Sequence, residues 1–111
     1  MTDEFTIHNR TYELVAFLKA GESSVSGDTM VERAKEINAD LGEEDGAFIL
    51  KHREEIPSQW QGIYLVFTAW HLDSRLRHVA FLDWGGGHWY QDWRWLGEGW
   101  SCHVRLVRRK V

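Results

Sequence analysis

The chain has one cysteine, one proline and no apolar run long enough to cross a bilayer as a helix. A lone Cys102 excludes an internal disulfide, so a reducing cytoplasm is the expected setting. The first residues are acidic and lack the apolar core of a secretory leader, so none is expected. Internal repeats and low-complexity tracts are also absent. Metal-type spacing is missing too: His71, His78, His88 and His103 form no compact motif with each other or with Cys102, and no metal or cofactor is expected.

What is present suffices for one folded unit. The 111 residues form a single domain, 1–111, with 43% hydrophobic and 27% charged residues. Charge is lopsided. Residues 1–55 carry 13 acidic and 6 basic side chains, a net −7, while residues 56–111 carry 4 and 7, a net +3. The acidic half argues against a broad nucleic-acid surface. Arg105, Arg108, Arg109 and Lys110 form a small basic end, read as solvated.

All 7 tryptophans lie between Trp60 and Trp100. There, aromatic and β-branched runs cut by glycine predict four strands over residues 63–111. Turns at Gly86-Gly87 and Gly97-Glu98, with positive φ expected at Gly86 and Gly97, set Trp84 opposite Trp89, Ala80 opposite Trp93, and Trp95 opposite Trp100. A loop from Leu72 to Arg75 sets Phe67 opposite Ala80 and Leu65 opposite Leu82. One face then collects Leu65, Phe67, Leu82, most of the indoles, Cys102, Val104 and Leu106, and a slip of one residue would turn any hairpin inside out.

Residues 1–62 read as a strand and two helices. Arg10 to Lys19 is short and apolar, which favours a strand over a helix. Thr29 or Asp28 is the expected cap of the first helix, with Met30, Ala34, Ile37 and Leu41 along one stripe and Gly42 after it. The acidic run Glu43-Glu44-Asp45 opens the second helix, which carries Phe48, Ile49, His52 and Ile56 and ends at Pro57.

The expected fold is therefore α+β: a four-stranded antiparallel meander, extended by an N-terminal strand, with two short helices packed on its aromatic face. The opposite face would expose Tyr64, Val66, Trp70, Val79 and Phe81, an apolar patch that a monomer seldom leaves in water. The leading expectation is accordingly a small cytoplasmic, non-catalytic adaptor or inhibitor that binds a protein partner, or its own copy, through those five residues. The alternative is a groove lined by Trp84, Trp89, Trp93, Trp95 and Trp100, whose indole faces suit a carbohydrate, a nucleobase or a cation. Catalysis is the third reading. It would need His103 opposite Asp92 with Ser101 on the same face, and no activated nucleophile completes that set. The run Trp84 to Trp89 lacks the Gly-Lys-Ser/Thr ending of a phosphate loop and reads as a hairpin turn.

Overall fold

The computed structural model describes residues 3–72 and 75–110. Its strands are β1 (Glu4–Ile7), β2 (Arg10–Val15), β3 (Ser24–Ser26), β4 (Tyr64–Leu72), β5 (Arg75–Gly85), β6 (His88–Trp95), β7 (Gly99–Ser101) and β8 (Val104–Arg109). Helices α1 (Gly27–Glu36) and α2 (Glu43–Lys51) fall between β3 and β4, followed by two 3-10 turns, Arg53–Glu55 and Ser58–Trp60. The tip of the loop expected between Leu72 and Arg75 lies outside the described residues.

The fold is α+β, but it is not a four-stranded meander. Six strands form one mixed sheet in the order β1-β2-β8-β4-β5-β6, and β3 and β7 form a separate ribbon. Two hairpin registers match the expectation. Leu65 opposes Leu82 and Phe67 opposes Ala80 across β4 and β5; Trp84 opposes Trp89 and Ala80 opposes Trp93 across β5 and β6. Gly86 (φ 64°) and Gly87 (φ 88°) make the β5–β6 turn, with positive φ at both central residues. Gly97 is not in the positive-φ region. It is small for a steric reason: a Cβ there would lie 2.5 Å from the Trp95 indole.

The third hairpin does not form. β7 leaves β6 and pairs with β3, setting Trp100 opposite Val25 and not opposite Trp95. Trp100 thereby enters a cluster with Met30, Ala34, Val66 and Val79 and has no exposed surface, whereas Trp95 at the sheet edge stays 51% exposed. An indole buries more apolar area than any other side chain, so the deep site wins. β8 then crosses to the middle of the sheet, antiparallel to β2 and parallel to β4. This move puts Val104 and Leu106 on the Val66 face, the reverse of the expected one, and leaves Cys102 exposed before β8.

The helices lie on opposite faces of the sheet. Ile49 of α2 joins Leu65, Phe67, Leu82 and Trp89 in one core, and Met30 and Ala34 of α1 join Val66, Val79 and Leu106 in the other. A two-sided cover explains why β4 is buried on both faces from Leu65 to Thr68. Ser26, not Thr29 or Asp28, caps α1: its hydroxyl accepts the Thr29 N–H at 3.2 Å. Asn38 at φ 56° turns the chain out of the helix, so Leu41 lies outside it and Gly42 becomes the N-cap of α2. The basic end is not simply solvated. Arg108, Arg109 and Lys110 contact Glu13, Asp45 and Glu4 at 2.6, 2.8 and 2.8 Å, so the two oppositely charged halves of the chain are tied together.

Candidate functional site: the free edge of the sheet

The five residues of the expected outer patch are not brought together as a surface. Val66 and Val79 have no exposed area, because α1 and Trp100 cover them. Tyr64 and Phe81 remain half-buried beside them, with ring centroids 5.5 Å apart. Trp70 lies on the other face. Phe67 pairs with Ala80 while His71 pairs with Val79, so three extra residues of β4 bulge out and shift the alternation. Trp70 therefore packs edge-on against Trp93 at 5.8 Å.

The indoles of the expected groove are likewise divided. Trp84 and Trp89 meet edge-to-face at 6.1 Å and help line a cleft of about 650 Å³ at the β5–β6 turn, together with Arg53, Glu54, Ser58, Gln61 and His88. Trp100 lies in the opposite core under the Arg94 guanidinium. Trp93 and Trp95 lie on β6, at the sheet edge. The expected triad fragment does not assemble: Asp92 opposes Phe81, and His103 sits in the exposed turn before β8. Among the described residues, no three His, Cys, Asp or Glu side chains are close enough to hold a metal.

No protein-family model, curated protein or solved structure matches this chain.

Among the described residues, β6 is the one long strand with a pairing partner on one side only; the opposite edge, β1, has four residues. Which backbone groups of β6 face outward follows from its contacts. The Leu96 N–H donates to the Arg77 carbonyl at 2.7 Å, on the β5 side, whereas the Trp89 carbonyl accepts from Arg53 Nη1 at 3.1 Å. With a period of two, the backbone groups of Gln91, Trp93 and Trp95 also face outward. Arg53 closes the turn end of this edge, and the Trp95 carbonyl accepts the Glu98 N–H at 3.2 Å at the other. Between them, the Trp93 N–H donates to its neighbour's carboxylate, Asp92 Oδ1, at 2.8 Å. That carboxylate occupies the place a partner strand's carbonyl would take. Arg94 is held on the α1 side, donating to the Gly99 carbonyl at 2.7 Å. On the same strand, the Tyr90 hydroxyl donates to Asp83 at 2.9 Å, which together with the negative charge of Asp83 raises its pKa above the ordinary value.

Nothing in the sequence signalled this edge, because a fourth strand after Gly97-Glu98 was expected to cover it. In the structure Trp93 and Trp95 flank Arg94 on a strand with no neighbour beyond it among the described residues, and Trp95 is exposed.

Proposed function

We propose that the protein is a small non-catalytic interaction module that takes an extended segment of a partner protein along the free edge of β6. The observation that carries this reading is the open edge at Gln91–Trp95, with Trp95 the exposed large hydrophobic side chain among the described residues. A strand edge offers a partner backbone its hydrogen bonds, and alternate side chains set specificity. Trp93 and Trp95 supply the aromatic contact area that interface centres favour. A cytoplasmic setting goes with the reading, because the single thiol is exposed and unpaired. No helix among the described residues is long and apolar enough to cross a membrane. A nucleic-acid partner fits poorly, since Arg108, Arg109 and Lys110 are already paired with carboxylates.

Selection from a library of random extended peptides tests the proposal, with a Gln91→Pro variant as counter-screen. Proline at an edge position is tolerated by the fold but removes an outward N–H. Peptides that bind the parent and lose Gln91→Pro are expected. An empty selection, or peptides held equally by both proteins, overturns the reading.

A second reading rests on the cleft at the β5–β6 turn. Half-buried Trp84 beside Glu54, Ser58 and Gln61 combines a flat apolar face with hydrogen-bonding groups, the combination a sugar ring requires. Titration of monosaccharides and short oligosaccharides, followed by tryptophan fluorescence in parent and Trp84→Ala proteins, tests it.

A further inference from the structure

We infer that the strand received by β6 is the β6 of a second copy, paired antiparallel about a two-fold axis at Trp93. The inference rests on the proposed use of this edge and adds the identity and register of the occupant. In a two-fold pairing each residue meets a fixed opposite, and that relation is reciprocal. With the axis at Trp93, Asp92 faces the partner's Arg94, and Arg94 faces the partner's Asp92. Trp93 meets its own counterpart, and Trp95 meets the partner's Gln91.

The alternation of the strand supports the same register. Gln91, Trp93 and Trp95 carry the outward backbone groups, so they become the hydrogen-bonded pairs. Asp92 and Arg94 then fall in the non-hydrogen-bonded pairs, where opposite side chains come closest and opposite charges favour pairing. Neighbouring registers are worse. An axis at Asp92 sets two carboxylates against each other, and an axis at Arg94 opposes two guanidinium groups. An axis at Gln91 sets Asp92 against the partner's Tyr90 and Arg94 against the partner's His88, so no opposite-charge pair forms.

In the single chain, Asp92 holds the Trp93 N–H at 2.8 Å and so guards the edge. On pairing, the partner's Trp93 carbonyl takes that N–H, and the released carboxylate turns to the partner's Arg94. Arg94 is paired with its own Glu98 only loosely, at 3.8 Å and with no hydrogen bond from Nε, so the partner's Asp92 competes with a weak contact. The same step covers Trp95, which is 51% exposed in the single chain. Two six-stranded sheets thereby become one continuous sheet.

Light scattering behind size exclusion tests this. The parent is expected at twice 13.0 kDa at high concentration. Asp92→Arg and Arg94→Asp each turn two attractive pairs into two repulsive ones, so each should weaken self-association by about tenfold or more. Mixing the two single variants should restore a dimer, because every residue 92 and 94 then meets an opposite charge. Thermal melts of both variants check that they fold. Should Arg94→Asp fail to fold, Asp92→Arg mixed with Arg94→Gln serves instead, with weaker recovery expected. A parent that stays at 13.0 kDa, or a dimer unchanged by Asp92→Arg, overturns the inference. A monomeric parent that still selects peptides lost in Gln91→Pro would overturn the self-pairing and leave the interaction edge standing; a monomer that selects none would overturn both.

Discussion

The guanidinium of Arg94 lies 4.5 Å from the centroid of the Trp100 ring, joining the free edge strand to the most deeply buried indole of the α1-side core. Trp100 has no exposed surface, and its indole N–H has no hydrogen-bond partner. Removing the side chain leaves a cavity between Met30, Val66 and Val79, so Trp100→Ala should cost about 3–5 kcal/mol in urea denaturation. Trp100→Phe keeps most of the volume and discards an unpaired donor, so its cost should be clearly smaller. Equal losses in the two variants would show that the site does not distinguish volume from hydrogen bonding.

Gly46 gives a sharper contest between two effects. Alanine in a helix interior normally gains about 1 kcal/mol over glycine. In α2, however, a Cβ at Gly46 would sit 2.5 Å from the Trp70 ring. The clash involves a rigid indole wedged against Phe67 and Trp93, so it should win, and Gly46→Ala should lower the melting temperature. Adding Trp70→Leu should recover part of the loss. A Gly46→Ala protein that melts above the parent would mean that Trp70 moves aside freely.

The Arg33 guanidinium donates two hydrogen bonds to the Glu22 carboxylate, at 2.6 and 3.0 Å, and the Lys19 N–H adds a third at 2.6 Å. With Arg33 as the main cause, the Glu22 pKa is lowered from 4.5 to about 2. A depressed carboxylate stabilises the fold above its unfolded pKa, and that contribution disappears as the pH falls through the folded value. The stabilisation should therefore be complete near neutrality and fade between about 4.5 and about 2. Carbon-detected NMR should place the Glu22 midpoint well below that of a peptide glutamate. Glu22→Gln should flatten the pH dependence of the melting temperature in that window, and an unchanged profile would count against the pair.

Cys102, expected on the buried face with the indoles, lies instead in the exposed turn between β7 and β8. The folded protein should thus release one equivalent of thionitrobenzoate on treatment with Ellman's reagent, at a rate within a few fold of the urea-unfolded chain. A thiol that reacts only after unfolding would place Cys102 back in the core.

What could be read from the residues was set by locality. Leu65 across from Leu82 and Trp84 across from Trp89 follow from short turns and a period of two, and both pairs are found. Period two also says that Trp100 alternates with Ser101, but it does not say which neighbour Trp100 faces. That choice was made by α1, some seventy residues earlier, which provides a buried slot beside Val25. The misplaced Trp70 has a similar origin, since a bulge at residues 68–70 leaves the composition of β4 unchanged while shifting its alternation. The edge at Trp93 and Trp95 became recognisable only once β8 was seen to pair elsewhere.

β8 lies between β2 and β4 although it is the last strand of the sheet in chain order. During synthesis, the β1–β2 hairpin and the β4–β5–β6 unit emerge from the ribosome as two separate pieces with no backbone seam between them. Only when residues 104–109 clear the exit tunnel can that seam close, with Leu14 meeting Val107 on one side and Val66 meeting Leu106 on the other. Until then β4 and β2 each expose a bare inner edge to other nascent chains. The pairing of β8 is therefore the step that unites the two pieces of the sheet, and the edges of β2 and β4 stay open to mispairing until that strand arrives.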